Sequence, residues 1–165
     1  MKNRDDAILR KITTYCDETE AAINMFGEDI NVFIDNSIFR NACCMPILQI
    51  GELCKLVSEE FRVKYATVDW RGWCGIRDVM AHQYVNLDYE KAWTIIVKDR
   101  AVLKDSLIAI LNKIDKDGIE RVQGVITNNN LKLDAEEMYR KIVDGTGVSL
   151  NAFSDDKLFE YLKQF

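Results

Sequence analysis

The feature that most constrains the fold is an apolar stripe with helical spacing near the start of the chain. Its members recur at alternating steps of four and three residues: Ile8, Ile12, Tyr15, Thr19, Ala22 and Phe26. This spacing places the side chains on one face of an α-helix, and Gly27 follows as a typical helix end. The pattern predicts an amphipathic helix over residues 4–26 that buries its stripe against other elements.

Turn-forming residues are too scarce for a chain built of strands. The 165 residues include eight Gly and one Pro, whereas an all-β protein needs turn residues about every 8–12 positions. Hydrophobic residues make up 48% of the chain and charged residues 30%, which is the composition of a folded protein rather than a disordered one. The sequence therefore predicts an all-α protein.

The second helical region reaches to about residue 63 and contains the single proline. Its clearest apolar stripe is formed by Ile47, Ile50, Cys54, Val57 and Phe61. Pro46 lies inside this region, where proline removes one helix hydrogen bond and crowds the preceding turn, at a cost of about 3 kcal/mol. We therefore expect a kink at Pro46, or two helices that meet there.

Asp69 and Asp88 are suited to begin two further helices. Asp69 is a plausible N-cap for a third helix, and Asp88 for a fourth helix over residues 89–113. Four antiparallel helices with short connections predict an up-and-down four-helix bundle over residues 1–113. Residues 114–165 are predicted to form a small helical extension, with short helices near 117–127, 134–143 and 155–164.

Charge and cysteine content exclude several classes of function. A net charge of −5 is unsuited to a protein that coats DNA or an anionic membrane, so any contact with nucleic acid has to be local. No apolar run approaches the ~20 residues of a membrane span, and the charged N-terminus lacks a signal segment. Five cysteines without C-x-x-C spacing and one histidine indicate reduced thiols and no metal site. We expect a cytoplasmic protein without a cofactor.

The single histidine, His82, lies in the stretch IRDVMAHQY, residues 76–84. On a straight helix, Arg77 and His82 would point about 140° apart. They converge if the helix ends near residue 82, or if a second copy of the protein supplies half of a cleft. Asp78, four residues before His82, can orient the imidazole or hold its proton. Two histidines and two arginines around one groove suit phosphodiester cleavage, because imidazoles transfer protons while arginines hold the phosphate.

Spacing alone favours a structural role for these residues. A histidine with an aspartate one helical turn before it is often a hydrogen-bonded structural residue, and Tyr84 can be an ordinary core aromatic. Trp70 and Trp73 are better suited to anchor the third helix than to stack bases. The basic residues near the motif form either a rim that faces RNA or ordinary surface ion pairs: Arg62, Lys64, Arg71 and Arg77.

The motif and its flanks resemble the HepT-like branch of the HEPN superfamily. IRDVMAHQY is preceded by LQIGELCKLVSEE and VDWRGWCGIRD and followed by NLDYEKAWTIIVKD. The hallmark of that family is Arg-x4-His-x-Tyr, which Arg77, His82 and Tyr84 fill. The resemblance covers roughly residues 4–113. Many members have Asn after the motif arginine where this chain has Asp78, and a nearby carboxylate favours a protonated imidazole.

The resemblance implies an all-α homodimer that acts as the toxin of a type II or type VII toxin–antitoxin pair. Toxins of this kind are similar to metal-independent endoribonucleases, with the motif Arg77 and His82 at a dimer cleft and RNA as the substrate. The implied partner is a nucleotidyltransferase antitoxin of the MntA type, which transfers AMP to the motif tyrosine, Tyr84. Phosphate added beside the cleft would place negative charge where the substrate phosphate binds.

Two other functions remain open at the level of the sequence. In the first, the protein is a non-catalytic nucleotide-binding or substrate subunit that docks a nucleotidyltransferase. In the second, it is a purely structural helical dimer. Glu52 can join the cleft, although a helix cap or an intersubunit hydrogen bond is a simpler role for it.

Overall fold

The protein is helical throughout the part of the chain that the computed structural model describes, which is residues 5–81, 88–146 and 149–165. The helices are α1 (Asp5–Phe26), α2 (Ile30–Asp35), α3 (Ser37–Leu56), α4 (Glu59–Lys64), α5 (Trp70–Ala81), α6 (Tyr89–Thr94), α7 (Arg100–Asn128), α8 (Ala135–Thr146) and α9 (Asp155–Leu162). A π-helical turn, Ile95–Asp99, joins α6 to α7, and a 3-10 turn, Leu150–Ala152, precedes α9. Within these ranges there is no strand, and the predicted all-α class is confirmed.

Short polar side chains begin most of the helices. Asn36 accepts hydrogen bonds from the backbone N–H groups of Ile38 and Phe39 at the start of α3. Asp88 accepts one from the N–H of Lys91 in α6, as its predicted role as an N-cap requires. Each such bond satisfies an N–H that has no partner inside its own helix. The helix starts are therefore local properties of the sequence.

Pro46 does not separate two helices. It is buried inside α3, which continues from Ser37 to Leu56. The breaks in this region lie at Asn36, before α3, and at Val57 and Ser58, before α4. Of the two alternatives expected at Pro46, that of two helices meeting there is wrong, because the cap at Asn36 fixes the start of α3 nine residues earlier. The alternative of a kink at Pro46 stays a prediction.

The helix predicted to end at residue 113 continues to Asn128 as α7. The separate helix predicted over residues 117–127 is therefore part of α7, and this boundary was wrong. No proline interrupts the segment, and Gly118 costs a helix only about 1 kcal/mol relative to Ala. Val122, Val125 and Ile126 are buried in the last turns, so their packing outweighs the weak helix propensity around them.

Contacts between Cα atoms divide the chain into two compact units, residues 8–108 and residues 109–165 together with 1–7. The first unit contains the helical bundle. Its fully buried side chains include Leu9, Ile12, Phe33, Phe39, Ile47, Ile50, Phe61, Ile96, Leu103 and Leu107. Buried Arg100 donates to the carbonyl of Cys16, which ties α7 to α1 within this unit. No helix among the described residues is long and apolar enough to cross a membrane.

The C-terminal unit has its own apolar core. Buried residues of α7, α8 and α9 pack there, together with Leu150. Arg121 holds the turn before α9, because its guanidinium donates to the carbonyls of Leu150 and Phe153 and to the carboxylate of Asp155. The Tyr139 hydroxyl donates to Asp115 over 2.8 Å. These contacts give residues 109–165 a defined fold of their own.

Candidate active site

Helix α5 presents the predicted arginine, and its first turn is fixed on both sides. The Asp69 carboxylate accepts a hydrogen bond from the Gly72 N–H over 2.9 Å. The indole N–H of Trp70 donates to the Tyr65 carbonyl, also over 2.9 Å. Trp70 and Trp73 are 5% and 6% exposed. Both tryptophans therefore anchor α5 in the bundle, as the sequence favoured, and neither is a platform for stacking bases.

Helices α3 and α5 approach closely at Gly51. A Cβ atom added at this position would lie 3.1 Å from the backbone carbonyl oxygen of Trp73 and 3.4 Å from Cγ2 of Ile76. A larger residue would need α5 to shift by a few tenths of an ångström, so glycine permits the close approach. The close approach brings the next residue of α3, Glu52, beside Arg77 of α5.

Arg77 and Glu52 form an ion pair between the two helices. The Arg77 Nη1 atom lies 3.3 Å from Glu52 Oε1, and the Lys55 Nζ atom lies 3.0 Å from the same oxygen. The hydrogen bond from Lys55 and the positive charges of Lys55 and Arg77 hold the pKa of Glu52 below its usual range. The side chain of Arg77 is 56% exposed, so its remaining N–H groups can still donate to an anion.

A shallow cavity of about 350 Å³ borders this ion pair and is lined by Met45, Leu48, Gln49, Glu52 and Arg77. We call it the Arg77 cavity. One wall is a guanidinium whose planar fork can donate to two oxygens of a phosphate at once. The other walls are apolar or neutral except for the Glu52 carboxylate.

Two of the four predicted site residues, His82 and Tyr84, lie outside the described residues. Asp78 belongs to α5, one residue after Arg77. The structure therefore brings Arg77 together with Glu52, a residue for which the sequence suggested a simpler role. The joint roles predicted for Arg77, His82, Tyr84 and Asp78 stay predictions.

Two of the basic residues near the motif make different contacts. Arg62 donates to the backbone carbonyls of Val57 and Lys55, and so satisfies oxygens at the end of α3. The Lys64 ammonium lies 5.4 Å from the centre of the Tyr65 ring. Arg62 therefore directs its Nε and Nη2 groups to backbone carbonyls, and it forms no ion pair with an acid in the described ranges.

A second cavity, of about 210 Å³, lies farther along α3. We call it the Arg40 pocket. It is lined by Ser37, Arg40, Asn41, Cys44 and Leu48 of α3 together with Met80 of α5 and Tyr89 of α6. Sequence reasoning missed it, and the signal was weak. The α3 residues recur with helical spacing, but they mix polar and apolar types as any half-exposed helix face does.

Buried cysteines and metal sites offer no competing chemistry in the described parts of the chain. Burial raises the pKa of Cys16 to about 12 and that of Cys44 to about 11, although nearby Arg100 and Arg40 oppose the rise. Such thiols carry almost no thiolate and are poor nucleophiles. No group of three or more His, Cys, Asp and Glu side chains in the described residues is arranged to hold a metal ion.

Comparison with known proteins points to one family. The family model described as Ribonuclease HepT-like matches residues 9–110 of the chain. A Methanocaldococcus jannaschii protein named "Putative RNase" is 33% identical over 76 residues, which are 46% of this chain and 70% of that protein. A Caldanaerobacter subterraneus protein with the same designation is 31% identical over 87 residues, 53% of this chain and 78% of the relative.

A second Methanocaldococcus jannaschii "Putative RNase" is 28% identical over 118 residues, which are 70% of this chain and 99% of the relative. No solved structure matches the chain with statistical significance. The matched family segment, residues 9–110, contains both helices that form the Arg77 cavity.

Proposed function

The chain belongs to the HepT-like ribonuclease family, and we propose that it is a metal-independent endoribonuclease that uses Arg77 and His82. The observation that carries this proposal is the exposed guanidinium of Arg77 at the wall of a cavity between α3 and α5. An arginine in this setting can bind a phosphate of the RNA backbone through two N–H groups.

The proposed reaction uses the ribose hydroxyl beside the bond that is cut. The 2′-oxygen attacks the phosphorus while the His82 imidazole of one subunit accepts the 2′-hydroxyl proton. The bond to the 5′-oxygen breaks, and the protonated imidazole of the other subunit donates a proton to that oxygen. Arg77 stabilises the negative charge that develops on the phosphate oxygens, and Asp78 supports His82 by favouring its protonated form. The products are a 2′,3′-cyclic phosphate and a 5′-hydroxyl, and no cofactor takes part.

We assign an exposed apolar stripe of α3 to the homodimer. Ile38, Met45 and Leu56 are 70%, 49% and 54% exposed, and their spacing places them on one face of the helix. Met45 also lines the Arg77 cavity. A second copy packed on this stripe would cover apolar surface and place the two cavities near one two-fold axis. Both subunits would then contribute to one cleft.

The biological role that we propose is that of a toxin paired with a nucleotidyltransferase antitoxin. The antitoxin would transfer AMP from ATP to the hydroxyl of Tyr84 and release pyrophosphate. A phosphodiester beside Arg77 would compete with the RNA phosphate for the same positive charge, so modification would inhibit cleavage. RNA and ATP place this chemistry in the cytoplasm. We further propose that residues 1–113 form the ribonuclease domain and that residues 114–165 are an extension outside it.

The ribonuclease proposal is tested with purified protein and a labelled single-stranded RNA in the presence of EDTA. Wild-type protein should cut the RNA, and His82→Ala and Arg77→Ala should each lower the rate by about 100-fold or more, as loss of a catalytic acid–base or a charge-stabilising group does. Arg140→Ala is the control, because Arg140 is an exposed arginine of α8 outside residues 9–110. If wild-type protein never cuts RNA and only binds a nucleotidyltransferase, the adapter function replaces the ribonuclease.

The modification is tested separately with ATP and a nucleotidyltransferase of the MntA type. Mass spectrometry should show added AMP on Tyr84 of the wild type. Tyr84→Phe should remain unmodified. Equal modification of wild type and Tyr84→Phe would exclude Tyr84 as the acceptor.

A further inference from the structure

The Arg40 pocket combines apolar walls with polar groups at its edge. Cys44 and Met80 are 7% and 3% exposed, and Leu48 and Tyr89 are half-buried. Ser37 and Asn41 are exposed and supply a hydroxyl and an amide. A mostly apolar cavity with a few convergent hydrogen-bonding groups is the usual form of a small-ligand site.

Arg40 supplies a positive charge that no carboxylate neutralises within the described ranges. Its guanidinium donates to the carbonyl oxygens of Phe33, over 3.2 Å, and of Ile34, at the end of α2. It also lies 5.5 Å from the centre of the Tyr89 ring. These contacts fix the plane of the guanidinium beside an aromatic ring. Because both of these hydrogen bonds use Nη1, the Nη2 and Nε groups remain able to donate.

The size and lining of the pocket fit a nucleobase better than a phosphate. A volume of 210 Å³ exceeds the ~30 Å³ share of one water but is below the about 300–1,000 Å³ of sites that enclose drug-sized ligands. One planar ring system fits such a space. A phosphate would leave apolar Cys44, Leu48 and Met80 against a charged group, whereas a base offers apolar faces to them and a polar edge to Asn41 and Arg40.

The Arg40 pocket adjoins the Arg77 cavity of the proposed cleft. Leu48 lines both the Arg40 pocket and the Arg77 cavity. Asn41 and Gln49, one from each cavity, are eight residues apart on α3 and thus about 12 Å apart along the helix axis. Met80 and Tyr89 stand on either side of the motif segment in the sequence. A single RNA strand along α3 can therefore reach both cavities with neighbouring nucleotides.

We propose that the Arg40 pocket binds the base of a nucleotide next to the cleaved bond and so sets the sequence preference of the ribonuclease. This inference rests on the proposed function for the identity of the strand. The walls hold the two faces of the base. Asn41, with its amide donor and acceptor, and Arg40, with donors only, read its edge. Bases that place an acceptor toward Arg40 are favoured.

Methionine methyl groups provide a direct test, because they report on separate sites of the full chain. Met80 lines the Arg40 pocket, Met45 lines the Arg77 cavity, and Met138 is buried in the C-terminal unit. Protein labelled with ¹³C at the methionine methyls is titrated with adenosine, guanosine, cytidine and uridine, and separately with inorganic phosphate. One or two nucleosides should shift the Met80 signal saturably, and phosphate should shift the Met45 signal. The Met138 signal should not move.

A matched pair of variants connects binding to cleavage. Asn41→Ala removes the edge contact, while Asn31→Ala makes the same change at an exposed position of α2 outside the pocket. On RNA of random sequence, Asn41→Ala should reduce the preference for one base beside the cleaved bond by about tenfold. This is the change expected from the loss of one or two hydrogen bonds. Asn31→Ala should keep the wild-type preference. A preference unchanged in Asn41→Ala would count against the pocket.

The outcomes separate the two proposals. If Met80 responds selectively to nucleosides but the protein cuts no RNA, the ribonuclease proposal fails and the base-binding pocket stands. If cleavage depends on His82 while no nucleoside shifts Met80 at millimolar concentration, the pocket is overturned and the ribonuclease stands. Equal shifts for all four nucleosides would also overturn the claim that this pocket selects a base.

Discussion

At the scale of single residues, the contact that matters most is the pair between Arg77 and Glu52. The pair holds the guanidinium at the surface of α5 and at the same time offsets part of its positive charge. Lys55 shares the Glu52 carboxylate. An RNA phosphate that binds Arg77 therefore competes with Glu52 for the same N–H groups.

Replacement of Glu52 should consequently strengthen RNA binding. In a His82→Ala background, Glu52→Gln is expected to lower the Kd for single-stranded RNA by about two- to fivefold. This is the change expected when RNA no longer competes with one exposed ion pair. Fluorescence anisotropy at low salt measures the change. Glu59→Gln, an exposed acid of α4, is the matched control and should have a smaller effect. Weaker binding by Glu52→Gln would mean that Glu52 orients Arg77 instead of competing with RNA.

The sequence identified one half of this contact by motif and could not identify its geometry. Arg77 was predicted from the pattern that it shares with His82 and Tyr84. Glu52 is 25 residues away in the sequence, and its position beside Arg77 follows from the helix crossing at Gly51. Local spacing carries no information on such a crossing. Arg40 was missed for the same reason, since Met80 and Tyr89 complete its pocket from distant parts of the chain.

At the scale of elements, the cavity depends on how closely α3 and α5 pack. Helix starts and faces were predictable, because caps such as Asp88 and apolar stripes are local signals. Helix lengths were harder to predict. The stretch after residue 113 is polar, and the packing of its buried residues in the C-terminal unit supports α7 as far as Asn128. The expected helix break at Pro46 was wrong for a related reason, because a helix can continue through a buried proline when its other residues are well packed.

Two glycine variants test the crossing. Gly51→Ala brings a Cβ to 3.1 Å from a backbone oxygen, and should lower the free energy of unfolding by about 1–2 kcal/mol through overpacking. Gly75→Ala adds a Cβ with nothing within 4 Å, and should raise that free energy by about 0.5–1 kcal/mol through helix propensity. Urea unfolding followed by circular dichroism measures both. A Gly51→Ala protein as stable as Gly75→Ala would show that the helix contact is not tight.

At the scale of the whole molecule, the proposed cleft requires two copies of the chain. The exposed stripe of Ile38, Met45 and Leu56 lies on α3 beside the Arg77 cavity. The sequence predicted a homodimer only through its resemblance to HepT-like proteins, because an exposed face cannot be told from a buried one until the rest of the bundle is in place. The prediction therefore needs a test in solution.

A charge placed on the stripe should separate the subunits. Ile38→Glu, at a residue that is 70% exposed, should give a monomer by sedimentation equilibrium and lose RNA cleavage. Val63→Glu, at an equally accessible residue of α4 that is 69% exposed, should remain a dimer and keep cleaving. A wild-type protein that is monomeric while it cuts RNA would refute the shared cleft.

The chemistry of the cut tests the central claim most directly. Two RNA substrates are compared in EDTA, one entirely ribose and one with a single 2′-deoxyribose on the 5′ side of the cleaved bond. The account predicts that wild-type protein cuts the first into fragments with 2′,3′-cyclic phosphate and 5′-hydroxyl ends and leaves the second intact at that bond. Equal cleavage of both substrates, or cleavage that appears only when a divalent metal is added, would contradict it.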